Sequence, residues 1–85
     1  MIVYIPSPLL SYTQTKQVNA NGATIAEMFA DLEHQFPGFR FRIVNEQDEV
    51  REHFQIFVNQ RIIKNLNEPL APNDEVRIIA AISGG

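Results

Sequence analysis

The hydrophobic and polar positions divide the chain into short elements. Ile2-Val3-Tyr4-Ile5 is a β-branched apolar run closed by Pro6. It predicts a buried first strand, because proline has no N–H to give a ladder and so punctuates a strand end. Ser7 to Thr13 reads as a polar loop with apolar anchors. Lys16 to Ala20 alternates weakly and runs into a stretch rich in turn formers, Asn19-Ala20-Asn21-Gly22. A short second strand, paired with the first as a hairpin, is expected there.

Thr24-Ile25-Ala26-Glu27 has the form of a capping box, in which the threonine oxygen accepts from a backbone amide three residues on and the glutamate reaches back to the cap. A helix is therefore predicted from Thr24. Ile25, Met28, Phe29, Leu32 and Phe36 fall on one stripe at helical spacing, and Pro37-Gly38 ends it. The stripe reads as core and carries no cofactor box.

Phe39-Arg40-Phe41-Arg42-Ile43 alternates like a strand, yet after Pro-Gly it could equally be a helical turn laying Phe39 and Ile43 inward, the reading preferred here. The acidic Asn45-Glu46-Gln47-Asp48-Glu49 lacks the alternating ligands and central glycine of a calcium loop, so it reads as solvated. Phe54 to Val58 predicts a strand, Asn59-Gln60 a turn, and Arg61-Ile62-Ile63 its hairpin partner. Glu68 to Asp74 is turn-rich and delivers the chain to a last strand, Val76 to Ile79. Four or five short strands and one principal helix describe an α+β domain, a mixed sheet with the helix across one face. Ile2–Ile5 and Val76–Ile79 are expected as its long central strands.

Strand alternation carries a further expectation. With Val76 and Ile78 toward the helix, Ile79 points to the opposite face; with Ile56 and Val58 inward, Phe57 joins it there. Apolar side chains exposed on such a face mark a partner site.

Composition narrows the classes. Apolar residues make up 45% of the 85, six of them Phe, enough for one compact core. With no cysteine, disulfides, thiolate metal sites and a cysteine nucleophile are excluded. His34 and His53 are single and not at ligand spacing, so no metal site is expected. No phosphate loop, nucleophile elbow or convincing carboxylate pair is present, so the chain is not expected to be an enzyme. A net charge of −3 with scattered cations disfavours nucleic acid. No apolar run approaches a membrane span and the start lacks the basic region of a signal peptide, which points to the cytoplasm.

The most informative stretch is the end, Val76-Arg77-Ile78-Ile79-Ala80-Ala81-Ile82-Ser83-Gly84-Gly85. A strand-like segment runs directly into residues with almost no side chain. Glycine lets a backbone pass through a narrow channel up to a ligand. The expected organisation is a domain over 1–82 and a flexible Ser83-Gly84-Gly85 tail, whose terminal carboxylate, rather than any side chain, is the reactive group. A frayed terminus is the plain alternative for two glycines.

With these features in hand, the chain resembles the ubiquitin-like sulfur carriers, the family of the molybdopterin synthase small subunit and the thiamine sulfur carrier. The resemblance rests on Ile5-Pro6-Ser7-Pro8-Leu9 after the first strand, Gly22-Ala23-Thr24 opening the helix, Leu32-Glu33 and Phe36-Pro37-Gly38 closing it, Phe57-Val58-Asn59, Leu70 to Val76, and Gly84-Gly85. It implies a β-grasp fold. It also implies a mechanism, in which an E1-like adenylating enzyme uses ATP to activate the Gly85 carboxylate and a sulfur donor displaces AMP to leave a thiocarboxylate. A sulfur-accepting biosynthetic enzyme then takes the sulfur. On this reading the chain is a co-substrate, monomeric when free and without a bound cofactor; Gly85 and Gly84 form the reactive end, and Phe57, Ile79, Ala81, Ile82 and Ser83 meet partners. The Pro-Ser-Pro-Leu-Leu-Ser-Tyr-Thr opening looks most like the carriers of cysteine biosynthesis, with Ser7 and Leu10 where that branch has Thr and Arg. The accepting pathway stays open among molybdopterin, thiamine and cysteine. A ubiquitin-like protein modifier and a β-grasp binding module that touches RNA remain the alternatives.

Overall fold

The computed structural model describes residues 1–81. Strands β1 (Ile2–Tyr4), β2 (Gln17–Asn19), β3 (Phe54–Val58), β4 (Arg61–Ile63) and β5 (Glu75–Ala80) form one sheet in the order β2-β1-β5-β3-β4. The two ends of the chain, β1 and β5, pair in parallel, and every other pairing is antiparallel. Across the inner face the register aligns Val18, Val3, Val76 and Val58, and beside them Ile63, Ile56 and Ile78. Helix α2 (Ile25–Gln35) covers these rows with Ile25, Met28, Phe29 and Leu32, all fully buried. The result is the two-layer α+β architecture expected from the hydrophobic pattern, in the β-grasp arrangement that the resemblance implies.

The helix starts where its sequence says it does. The Thr24 hydroxyl accepts from the Glu27 amide at 3.2 Å, while the Glu27 carboxylate reaches one residue beyond the cap and accepts from the Ala23 amide at 3.0 Å. Gly22 precedes this cap so tightly that a Cβ there would stand 2.6 Å from the Met28 nitrogen. Only glycine fits that approach.

Phe39–Ile43 is a further short helix, α3, which places Phe39 and Ile43 in the core and leaves Phe41 half in solvent. A strand would have put all three on one side. The deciding groups are Gly38, in the left-handed region at φ 93°, and Glu33 of α2. Its carboxylate accepts from the Gly38 and Arg40 amides at 2.7 and 2.9 Å, satisfying donors that a helix start leaves open.

Two expectations are corrected. Ser7 to Thr13 is no loop but a 3-10 turn (Ser7–Leu9) leading into a one-turn helix α1 (Leu10–Thr13). Pro6 and Pro8 preset the backbone, and Leu9 is driven into the core. Nor is β1 a long central strand: it keeps three residues, the Ile5 amide still meeting its register partner, the Lys16 carbonyl, at 2.8 Å before Pro6, which has no amide to give. The longest strands are β5 with six residues and β3 with five.

The β3–β4 hairpin turns on Asn59 and Gln60, both at positive φ, 50° and 75°, as a type I′ connection requires. Asn59 is held from both ends. Its side-chain amide donates to Asp74 at 2.7 Å and its oxygen accepts from the Glu75 amide at 2.9 Å, which ties the turn to the start of β5.

Candidate functional site

β5 lies in the middle of the sheet, laddered to β1 on one side and β3 on the other. Its far end is pinned as well: the Ala81 amide donates to the His53 carbonyl at 2.8 Å. The last described residue therefore sits at a fixed place on a rigid frame. Ile82, Ser83, Gly84 and Gly85, and with them the expected domain boundary, lie outside the described residues.

The outer face of the sheet carries the predicted patch. Ile79 is 43% exposed and Phe57 is partly exposed, diagonal to one another across β5 and β3, whose register pairs Phe57 with Arg77 and Ile79 with Gln55. Three residues that the sequence reading did not name complete the surface. Ile62 of β4, 44% exposed, stands opposite Phe57. Counting outward from the two-residue turn pairs 58 with 61 and 57 with 62, so the hairpin already contained this neighbour. Arg77 and Tyr4 face each other across the parallel β1–β5 pair, with the guanidinium 4.0 Å from the ring centroid. That contact fixes a cation in the row Gln17, Tyr4, Arg77, Phe57, Ile62.

Beside this face, where β5 ends, an open groove of about 870 Å³ runs between the 3-10 turn and the strand. Pro6, Pro8 and Leu10 form one wall, Ile79 and Ala81 the other. Exposed Ala81 thus joins Ile79 at the place where the chain leaves the domain. A second groove, of about 900 Å³, lies along β4 and the 48–55 segment; it includes no residue of β5.

Two carboxylates are held below their ordinary range, and both serve the frame rather than chemistry. Glu33 is lowered first by the Gly38 amide and then by that of Arg40, Asp74 by the Ala71 amide and then by the Asn59 side chain. His34 is exposed in the last turn of α2, and His53 lies exposed ahead of β3 with its ring 4.7 Å from that of Phe54. Among the described residues no three metal-ligating side chains come together.

The profile of the ThiS family matches residues 3–85, nearly the whole chain and through the final glycines. The chain belongs to the ThiS family of ubiquitin-like sulfur carriers. Among its ThiS relatives, the sulfur carrier protein CysO of Mycobacterium tuberculosis is 30% identical over 89 residues, covering 98% of this chain and 96% of that protein. A chain of the Amycolatopsis orientalis BexX/CysO complex superposes with a TM-score of 0.91 at 30% identity, covering 99% of this chain and 98% of that one. The crystal structure of Mycobacterium tuberculosis CysO gives 0.90 at 28% identity over 95% of this chain and 98% of its own.

Proposed function

We propose that this chain carries sulfur on its Gly85 carboxylate. An E1-like enzyme converts the carboxylate to an acyl-adenylate with release of pyrophosphate, and a sulfur donor displaces AMP, leaving a thiocarboxylate. Adenylation is needed because a carboxylate is a poor acyl electrophile, and a glycine end offers the least hindrance to attack. The chain itself contributes no catalytic group. Phe57, Ile79 and Ala81 present the end to the partner, Ile82 and Ser83 bridge to it, and Gly84-Gly85 enter the adenylating site. The observation that carries this reading is the match to the ThiS family running through Gly85. The CysO relatives and the Pro6-Ser7-Pro8-Leu9 opening favour cysteine biosynthesis as the destination, in the cytoplasm, with the carrier monomeric between partners.

The test is direct. Incubated with its E1-like enzyme, ATP and a sulfur donor, the protein gains the mass of one oxygen exchanged for sulfur, localised to Gly85. One residue added after Gly85 abolishes the gain while the thermal transition stays put, because the carboxylate moves out of register and no core contact changes. Thiocarboxylation of the extended chain without trimming, or an amide-linked adduct in place of the thiocarboxylate, refutes the proposal.

A further inference from the structure

We propose that the groove at the end of β5 docks an apolar segment bearing carboxylates on the adenylating partner, and that Lys16 and Arg77 select it. The inference rests on the carrier reading above and specifies the chemistry of its partner. Three observations lead to it.

The first is reach. From Ala81 to the end of the chain are the four residues 82–85, which span at most about 14 Å whatever their conformation. Any enzyme that acts on the Gly85 carboxylate must bring its reacting centre within that distance of Ala81. The surface around Ala81 is then covered by the enzyme during the reaction, and that surface is this groove.

The second is charge. The chain has ten Asp and Glu against seven Lys and Arg, yet among the described residues the groove is lined by Lys16 and Arg77 and by no Asp or Glu. The ion pairs among the described residues, Arg40 with Asp48 and Arg61 with Glu68, involve neither cation. Glu75, two residues before Arg77 on the same face of β5, shares a smaller groove with it on the far side, together with Asn59 and Gln60, and does not line this one. The groove along β4 makes the contrast plain: Arg40, Arg51 and Lys64 line it together with Asp48, Glu49 and Glu52. A concentration of one sign at the place the partner must cover complements the other sign.

The third is preorganisation. Tyr4 holds the Arg77 guanidinium 4.0 Å from its ring centroid, which removes rotamer freedom before any partner arrives. The Lys16 carbonyl accepts from the Ile5 amide at 2.8 Å, which fixes the lysine backbone beside the groove. The walls between the cations are apolar, from Pro8 and Leu10 to Ile79, so the fitting segment places a hydrophobic side chain between acids. Tyr4 acts here as a positioning residue for Arg77.

The experiment uses the full chain and the E1-like enzyme that adenylates it, and reads pyrophosphate release at low and at physiological ionic strength. Lys16→Glu with Arg77→Glu raises the KM for the carrier about tenfold and leaves kcat within about twofold, since these exposed charges act on encounter rather than on the reacting atoms. Added salt raises the KM of the wild type and not that of the variant. Tyr4→Leu gives a smaller rise, about threefold, by freeing the guanidinium. Arg42→Glu with Lys64→Glu changes the net charge equally and leaves KM as it was. Should the reversed pair fail to fold, Lys16→Gln with Arg77→Gln gives the same sign at about half the effect on the logarithmic scale. An unchanged KM in the groove variants, or an equal rise in the Arg42/Lys64 control, overturns the groove assignment while pyrophosphate release by the wild type upholds the carrier reading. No pyrophosphate release from the wild type overturns both.

Discussion

Ile78 and Ile79 are consecutive on β5, chemically identical and opposed in exposure, 2% against 43%, so truncating each to alanine separates frame from function. Ile78 faces α2 and is paired with Ile56 in the buried rows. Cutting it to alanine opens a cavity in a packed core, at a cost of about 2–4 kcal/mol. For a domain of this size that lowers the thermal midpoint by more than about 10 °C. Ile79→Ala changes stability by less than about 0.5 kcal/mol, because solvent already reaches the side chain. Its effect belongs to the complex. An isoleucine exposed to this extent offers on the order of 75 Å² to a partner, and alanine forfeits about 50 Å² of it, which at about 25 cal/mol per Å² is roughly 1.2 kcal/mol, or about eightfold in affinity.

Urea unfolding gives the first quantity, and the KM for the carrier in pyrophosphate release gives the second. Equal destabilisation by the two substitutions would show that β5 does not divide its side chains between core and partner. An Ile79→Ala chain with native stability and a KM within about twofold of wild type would remove the outer face from the interface.

Other consequences follow from the frame. Glu33 and Asp74 are held below the ordinary carboxylate range by amide donors, so the stability each contributes is full above that range and is lost as pH falls through the lowered folded values. Glu33→Gln therefore flattens the acid limb of a stability-against-pH curve and lowers stability at neutral pH; a limb as steep as wild type would assign the acid sensitivity to other groups. Gln60→Gly relieves a side chain at φ 75° in the type I′ turn and raises the thermal midpoint by a few degrees, about 0.5 kcal/mol after glycine's greater unfolded freedom is counted; a fall in the midpoint contradicts this. Gly22→Ala drives a Cβ to 2.6 Å from the Met28 nitrogen and costs more than about 2 kcal/mol, whereas Gly38→Ala meets only the Tyr12 ring at 3.4 Å and pays mainly for its backbone angle. Equal losses at the two glycines would mean that α2 can shift to admit the methyl.

The layer architecture was legible because its cause is local. The capping box at Thr24, the stripe from Ile25 to Leu32 and the alternation of Phe54 to Val58 each state which side of an element is buried, and burial is what the sheet and helix satisfy. Where the reading left a choice or erred, a distant group decided. Phe39–Ile43 alternates like a strand and folds as a helix, since Glu33 and Gly38, on the preceding element and its exit, cap its first turn. The 7–13 segment reads as polar because Leu9 is its one buried apolar residue, polar Thr13 being the other buried side chain; one such anchor and two prolines suffice to wind a turn, and periodicity over so few residues does not register it. The length of β1 was misjudged for a similar reason. Four apolar residues in a row say nothing of where pairing with both neighbours stops, and β1 keeps both only through Tyr4.

The outer face divides along the same line. Phe57 and Ile79 were readable from alternation within their own strands, and Ile62 from counting across a two-residue turn. Arg77 and Tyr4 were not, because their contact exists only when the first and last strands lie side by side in parallel, a pairing between opposite ends of the chain. That same pairing gives the domain its use. A parallel β1 on one flank and an antiparallel β3 on the other leave the end of β5 no freedom to slide, since a slip of one residue would turn Ile78 outward and Ile79 into the core. The fold thus holds Ala81 in register with the outer patch and the groove. On the proposed function a reactive end with no side chain needs such a base: glycines bring reach without direction, and the direction is supplied by a central strand whose register is fixed from both sides.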